Sequence, residues 1–194
     1  MEFLKSETKN NLARAFAGEC QDGARYQFMA KSALKQELSA LADKFKTFAK
    51  HEMAHAKVFY DLLLTSSKEE LSNIEICAGY PFEDYDIETS IKNMAGTELG
   101  ESRNIYPAFA KVARDEGFLE IADAFELAAL VENKHFLALN DIAEKYASKK
   151  LYSSAETKIW KCSSCGHEHE AKSAWKQCPL CQMPQGYVEL KLDD

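Results

Sequence analysis

The sequence predicts an all-α four-helix bundle followed by a small module that a metal ion holds together. Three observations predict this architecture. The first 148 residues are rich in Ala and almost free of Gly and Pro, and their apolar residues recur at spacings of three and four. The two halves of this segment repeat each other. Four of the six cysteines lie in the last 36 of the 194 residues.

The apolar pattern predicts four helices of roughly 25 to 30 residues each. Breaks are expected near Lys35 to Leu38, in the loop Gly79-Tyr80-Pro81, and at Gly117. Asp86 is the expected N-cap of the third helix. Pro107 lies inside that helix and should kink it or start a local irregularity, because proline cannot donate a backbone hydrogen bond.

The internal repeat relates helices in pairs. The segment 41–45 (LADKF) precedes the similar segment 121–125 (IADAF) by 80 positions, and the same offset places Glu52 on Glu132 and His55 on His135. An offset of 79 places Glu19 on Glu98, and an offset of 80 places Tyr26 on Tyr106. The sequence therefore predicts two copies of one helical hairpin, packed about a pseudo-two-fold axis.

Two Glu-x-x-His motifs occupy equivalent positions in the two copies. Glu52 and His55 share one helix face, as do Glu132 and His135, because residues three apart are neighbours on a helix. Apolar residues flank both motifs, so the charges would be buried and need compensation. A Glu from each of two helices plus Glu-x-x-His from each of the other two is the ligand set of di-iron carboxylate bundles. With Glu19 and Glu98 added, the pattern predicts two metal ions, iron or manganese, although zinc is also compatible with these ligands.

Two other interpretations compete for these residues. Glu and His are common on solvated helix faces, which explains any one of them but not the matched set. His51 also completes the motif H-E-x-x-H, typical of zinc metalloproteases. The second copy has Val131 at the corresponding position, so we interpret His51 as a neighbour that faces away from the site.

Further candidate residues lie near the predicted ligands. Glu101 follows Glu98 by three residues and shares its face, whereas its counterpart in the first copy is the shorter Asp22, so Glu101 is a candidate seventh ligand for one ion. Tyr26 and Tyr106 lie about two turns beyond Glu19 and Glu98, where their hydroxyls can hydrogen-bond buried carboxylates or serve as core aromatics. Cys20 and Cys77 are interpreted as small packed side chains.

The C-terminal cysteines form the pattern C-x2-C-x12-C-x2-C, through Cys162, Cys165, Cys178 and Cys181. Four thiolates suit a tetrahedral zinc or iron site, and the spacing does not choose between them. So short a module cannot form a sufficient core, so we expect the metal to be needed for folding. The predicted organisation is a bundle at 1–148, a polar linker at 149–158 and the four-cysteine domain at 159–194.

Charge and hydropathy limit the location and partners of the chain. With 31 acidic and 24 basic residues, the net charge is −7, which disfavours nucleic acid as a partner. No stretch of 18 apolar residues is present, and the N-terminus lacks the pattern of a signal peptide. We expect a cytoplasmic protein that does not bind a membrane.

The sequence resembles the rubrerythrin family over essentially its whole length. The resemblance rests on the segments 17–19 (AGE), 95–101 (AGTELGE) and 106–107 (YP), on both Glu-x-x-His motifs, and on the four-cysteine tail. It implies a ferritin-like bundle followed by a rubredoxin-like, β-rich domain. It also implies that Glu52 and Glu132 bridge two irons, that Glu19 serves the first and that Glu98 and His135 serve the second. The first iron would exchange His55 for Glu101 as its oxidation state changes.

The resemblance further implies a non-haem di-iron peroxidase that reduces hydrogen peroxide to water. Electrons would pass through iron in the four-cysteine site, for which zinc is a possible substitute, from an NAD(P)H-dependent reductase or a rubredoxin. A homodimer is expected, with the tail of one subunit near the di-iron site of the other. We assign catalytic roles to Glu101, His55, Tyr26 and Tyr106. The alternatives are a ferroxidase or iron-handling protein, and a zinc-stabilised interaction protein without enzymatic activity.

Overall fold

A computed structural model describes residues 2–67, 70–71, 73–82 and 86–192. The bundle consists of α1 (Glu7–Lys35), α2 (Ser39–Ser66), a third helix in two parts, α3 (Ile87–Gly100) and α4 (Tyr106–Glu116), and α5 (Leu119–Ala147). A π-helical turn, Glu101–Ile105, joins α3 to α4 without a break. The predicted four-helix bundle is therefore confirmed.

The helix ends follow from local chemistry. The side chain of Ser6 accepts a hydrogen bond from the backbone N–H of Lys9, and Asp86 caps α3 by accepting from Thr89 N–H, as predicted. Gly117 adopts φ +91° after α4, a left-handed conformation that ends helices and that glycine adopts at no steric cost. The breaks predicted near 35–38 and at Gly117 thus coincide with observed helix boundaries, whereas the break predicted at 79–81 lies between the end of α2 at Ser66 and the start of α3 at Ile87.

The π turn explains the irregularity expected around Pro107. Tyr106 N–H donates to the carbonyl of Glu101, one residue further back than in a regular α-helix. Pro107 then lies in the first turn of α4, where its missing N–H is tolerated. The turn inserts one residue between Glu98 and Tyr106, which is why the repeat offset changes from 79 to 80 between them.

Two apolar clusters divide the interior of the bundle. α1 packs mainly against α2, and α3 and α4 pack against α5. One cluster contains Tyr26, Phe45 and Leu139, and the other contains Leu12 and Phe125. The predicted metal ligands lie in sequence between these clusters on every helix, so they occupy the middle of the bundle. No helix in the described part of the chain is both long and apolar enough to cross a membrane.

The C-terminal module is a two-stranded antiparallel sheet with a small core. Strand β1 (Ser153–Lys161) pairs with β2 (Glu168–Ser173), and a short 3-10 turn follows at Gln185–Tyr187. The core contains Trp160, Ala174 and Val188. Strand β1 begins inside the interval 149–158 that was expected to be a linker. The polar composition there belongs to a largely exposed strand, which a composition argument cannot distinguish from a linker.

Residues 190–192 pack against one end of the bundle. Lys145 Nζ donates to the carbonyl of Lys191 at 2.8 Å, and Leu190 and Leu192 pack against the first apolar cluster. Gly186 meets the turn between α1 and α2 so closely that a Cβ would lie 1.7 Å from the carbonyl oxygen of Glu37. The C-terminal module therefore contacts one end of the bundle, and the contact has no room for a side chain at Gly186.

Candidate metal centres

Six of the predicted bundle ligands meet in the buried centre. They form two groups that share Glu52 and Glu132, one completed by Glu19 and His55 and the other by Glu98 and His135. Within each group the ligand atoms all lie within 4.8 Å of one another. Since the six side chains come from α1, α2, α3 and α5, the fold brings together both halves of the repeat.

Glu52 and Glu132 each span the two groups. Glu132 places Oε1 at 2.9 Å from His55 Nδ1 and Oε2 at 2.8 Å from His135 Nδ1. Glu52 places Oε2 at 3.2 Å from His55 Nδ1 and Oε1 at 3.1 Å from His135 Nδ1. Glu19 Oε2 lies 3.4 Å from His55, and Glu98 Oε2 lies 3.7 Å from His135. The geometry is that of two carboxylates between two positions, with one further carboxylate at each.

The donor atoms of this cluster fit a pair of metal ions. Although they lie within ion-pair distance of one another, several buried atoms form no hydrogen bond: Glu52 Oε1, His55 Nδ1, Glu98 Oε2, both oxygens of Glu132, and His135 Nδ1. Buried polar atoms are normally satisfied, so a concentration of such atoms indicates a missing partner. Carboxylate and imidazole groups that converge without hydrogen-bonding each other are suited to cations at shared positions.

The two tyrosines hold the outer carboxylates crosswise. The Tyr26 hydroxyl donates to Glu98 Oε1, and the Tyr106 hydroxyl donates to Glu19 Oε1. Each tyrosine therefore belongs to one copy of the repeat and holds the carboxylate of the other copy. The bond occupies one oxygen of each carboxylate, which leaves Oε2 directed towards the histidine.

Without cations, bound protons compensate the charges of the cluster. Burial raises the pKa of Glu98 to about 8 and that of Glu19 well above its usual value. Burial also opposes ionisation of Glu52, but the charged rings of the neighbouring His135 and His55 outweigh it and lower the pKa of Glu52 to about 2. Burial of His55 and His135 lowers their pKa values, but the surrounding carboxylates outweigh it and raise the pKa of His55 to about 12 and that of His135 to about 11. The metal-free cluster therefore takes up protons in place of cations.

Glu101 is buried but lies outside both ligand groups. It lies close to Asp22, which pairs with Arg25. Burial, followed by repulsion from Asp22 and Glu19, raises the pKa of Glu101 well above its usual value. Two buried carboxyls that lie close together repel each other when both are charged, so ionisation of Asp22 opposes ionisation of Glu101. The structure thus places His55, and not Glu101, beside the first position.

The interpretation of His51 as facing away is wrong. His51 Nδ1 lies 3.1 Å from His135 Nε2, the ring nitrogen that does not face the carboxylates. The repeat gave no sign of this contact because Val131 replaces His51 in the second copy. A signal was present nevertheless, because His51 and His55 are four residues apart and share one face of α2.

Metal-free protein should become less stable as the pH rises from 5.5 to 8. Stability falls with pH wherever the native state binds more protons than the unfolded chain. Five groups have native pKa values above their unfolded values and so keep additional protons over this range: Glu19, Glu98, Glu101, His55 and His135. Asp22, with a native pKa of about 6, contributes only near the lower limit of the range. A difference of a few kcal/mol lowers Tm by about 5–10 °C in a chain of this size.

Calorimetry of the chelator-treated protein at the two pH values measures this difference. The metal-loaded protein is the control, and its Tm should rise with pH because ligands must lose protons to bind a cation. A metal-free Tm that is higher at pH 8 would contradict the assigned burial of the carboxyls.

The four cysteines of the module also converge. Their sulfur atoms lie within 4.8 Å of one another, with Cys162 Sγ and Cys181 Sγ 3.7 Å apart. The two Cys-x-x-Cys loops have the same backbone hydrogen bond. Gly166 N–H donates to the Cys162 carbonyl and Gln182 N–H donates to the Cys178 carbonyl, each at 2.9 Å. A backbone hydrogen bond from Met183 lowers the pKa of the Cys181 thiol to about 7. The site suits a tetrahedral metal ion with four sulfur ligands.

Family models match the chain in both parts. A model described as rubrerythrin matches residues 10–143 and, in an overlapping match, residues 97–167. A model described as the rubredoxin-like domain of rubrerythrin matches residues 160–189. The chain belongs to the rubrerythrin family. Membership makes it an oxidoreductase, and the domains of this family bind iron.

Individual members of the family are similar along nearly their whole length. A rubrerythrin of Clostridium perfringens is 38% identical over 192 residues, which cover 98% of this chain and 97% of that protein. Rubrerythrin-1 of Clostridium acetobutylicum is 38% identical over 191 residues, with the same coverage. A solved structure of nigerythrin in a mixed-valence state aligns with a TM-score of 0.62 at 25% identity, covering 95% of this chain and 86% of that chain.

Proposed function

We propose that the protein is a di-iron peroxidase that reduces hydrogen peroxide to water. The observation that carries the proposal is the pair of carboxylates, Glu52 and Glu132, whose oxygens are divided between two buried positions. When bound there, two ferrous ions supply one electron each, which together with two protons converts one hydrogen peroxide molecule into two water molecules. Glu19 with His55 would hold one ion, and Glu98 with His135 the other.

The remaining side chains of the site have distinct roles in this proposal. The hydroxyls of Tyr26 and Tyr106 hold Glu98 and Glu19 so that one oxygen of each stays available to a metal. Glu101, with its raised pKa, keeps a proton beside the cluster. We propose that Glu101 replaces His55 at the first ion when the oxidation state of that ion changes, since both side chains are near Glu19.

A surface cavity offers hydrogen peroxide a route to the site. The cavity has a volume of about 220 Å³ and is lined by His55, Val58, Leu127 and Val131, among others. The lining is mainly apolar, and His55 is the ligand exposed at its base, with 16% of its side chain accessible. A molecule as small as hydrogen peroxide fits this volume, whereas a large organic substrate does not.

The C-terminal module supplies electrons in this proposal. Its four thiolates would hold one iron that accepts electrons singly from a redox partner, either a rubredoxin or an NAD(P)H-dependent reductase in the cytoplasm. The module contacts the bundle at Glu37, about 20 Å along α2 from Glu52 at the helical rise per residue. Electron transfer slows steeply with distance, so we propose a homodimer in which the module of one subunit serves the di-iron site of its partner.

Protein purified without oxygen tests this function. It should contain three irons per chain, show after oxidation the visible absorption of ferric iron held by four thiolates, and consume one hydrogen peroxide molecule for each two electrons supplied. A ferroxidase would instead oxidise added ferrous ions and assemble into a large shell, which gel filtration detects. A zinc-stabilised interaction protein would be colourless. Failure to consume hydrogen peroxide in the iron-loaded state would rule out the proposal.

Replacing Glu101 by Ala should leave both bundle irons bound and slow peroxide turnover roughly 10-fold or more. The reason is its position, since Glu101 lies beside the ligand groups without belonging to either of them. Iron content and stopped-flow kinetics measure the two effects. Glu88→Ala is a matched control on α3, because Glu88 lies near the surface and pairs with Lys92. Unchanged kinetics in Glu101→Ala would remove Glu101 from the mechanism.

A further inference from the structure

The contact between His51 and His135 is an in-plane hydrogen bond. The two rings are inclined by only 10°, and their centroids are 5.3 Å apart while His51 Nδ1 and His135 Nε2 are 3.1 Å apart. The difference between these two separations is about the width of one imidazole ring. The rings therefore lie edge to edge in nearly one plane, with the two nitrogens directed at each other.

The bond has only one direction compatible with metal binding at His135. Its Nδ1 faces Glu52, Glu98 and Glu132, so Nδ1 must be unprotonated to ligate a cation. The proton of the neutral ring then resides on Nε2, which donates to His51 Nδ1. A partner of this kind fixes the tautomer and the orientation of a ligating histidine.

The second copy of the hairpin lacks this device. Val131 occupies the position that corresponds to His51, and it lines the same cavity as His55. A valine side chain has no atom that accepts a hydrogen bond. Thus His55 and His135 occupy equivalent positions in the two copies but have different neighbours. His135 has a hydrogen-bond acceptor in His51, whereas Val131 offers none to His55, which leaves the His55 ring more mobile.

We propose that His51 is a positioning residue that locks His135, and that Val131 leaves His55 free to move. As a result, an ion at Glu98 and His135 is held more firmly than an ion at Glu19 and His55. The proposal rests on the proposed di-iron site but not on hydrogen peroxide as the substrate. It also provides a physical reason why a ligand exchange would be confined to the His55 side.

Iron release from the full-length protein tests this asymmetry. The ferrous protein is mixed with an excess of a chromogenic ferrous chelator, and bundle iron should leave in a fast and a slow phase. Iron in the four-cysteine site is followed separately by its own absorption after reoxidation. His51→Leu, which keeps the bulk but removes the acceptor, should accelerate the slow phase by about 10- to 100-fold and leave the fast phase unchanged.

Conservative variants separate positioning from packing. His51→Gln retains an acceptor and should restore a slow phase within about threefold of the original rate. Val131→Gln supplies an acceptor beside His55 and should slow the fast phase, whereas Val131→Leu is the control and should not. Circular dichroism confirms folding of each variant, and if His51→Leu does not fold, the two Val131 variants carry the test.

Three results would overturn the proposal. These are an unchanged slow phase in His51→Leu, equal acceleration of both phases in that variant, and identical release from Val131→Gln and Val131→Leu. Peroxide turnover of the unmodified protein, measured on the same preparation, decides the proposed function separately. Release kinetics that follow the asymmetry in a protein without peroxidase activity would support the positioning role and reject the function.

Discussion

Replacing Glu132 by Ala is expected to abolish paired iron binding and to reduce peroxide turnover by more than roughly 100-fold. This loss exceeds that from removing a residue that only hydrogen-bonds a metal ligand. Both oxygens of Glu132 are buried without hydrogen bonds, and they lie near the two histidines at 2.9 and 2.8 Å. Its removal therefore takes a donor from both positions at once. Iron content and Mössbauer spectra, which distinguish a coupled pair from single ions, measure the loss.

Two further variants make this result specific. Glu126→Ala on the same helix removes an exposed carboxylate that pairs with Arg114, and it should retain both irons. Glu132→Gln keeps the volume but offers a single oxygen, so it should hold at most one ion firmly. A Glu132→Ala protein that still binds a coupled pair of irons and turns over hydrogen peroxide normally would disprove the bridging role.

Replacing Cys178 by Ser is expected to abolish turnover that depends on a reductase or a rubredoxin while the bundle keeps its irons. Cys178 is fully buried, and in the part of the module that the structure describes, through residue 192, the core contains three buried apolar side chains besides the cysteines. So small a core does not offset the entropy of ordering the chain, so loss of a thiolate should remove the metal and unfold the module. Absorption spectra and NAD(P)H oxidation in the presence of hydrogen peroxide measure both effects.

The control for this variant is Cys77→Ser, because Cys77 lies outside the module and is exposed, contrary to its interpretation as a packed side chain. That change should leave donor-linked turnover unchanged. Chemically reduced Cys178→Ser protein should still convert one equivalent of hydrogen peroxide, since the bundle site is intact. Normal donor-linked turnover in Cys178→Ser would show that electrons reach the bundle by another route.

The sequence predicted the fold because the helical apolar pattern and the internal repeat can both be recognised without knowledge of the contacts between helices. The Glu-x-x-His spacing fixes one face of a helix, and the offset between copies then places Glu52 and Glu132 opposite each other. The bundle and the convergence of six side chains followed from these two facts. Ligation itself, and the division into 1–148, 149–158 and 159–194, remain predictions.

What the sequence did not reveal depends on contacts between elements. The crosswise pairing of Tyr26 with Glu98 and of Tyr106 with Glu19 requires the relative rotation of helices, which spacing along one helix does not define. The contact of His51 with His135 was missed because the repeat was given more weight than the shared helix face. Strand β1 was missed at its start because exposed polar strands and linkers have similar composition.

The additional residue in the π-helical turn of the third helix makes the two hairpins unequal in length. Deleting one residue from Glu101–Ile105 would restore a regular helix, and either the carboxylate upstream or the phenol downstream would then turn away from its partner. The additional residue thus lets one helix direct both Glu98 and Tyr106 towards their partners, which a regular α-helix could not do. The difference in spacing between the two hairpins is thus confined to one turn of one helix.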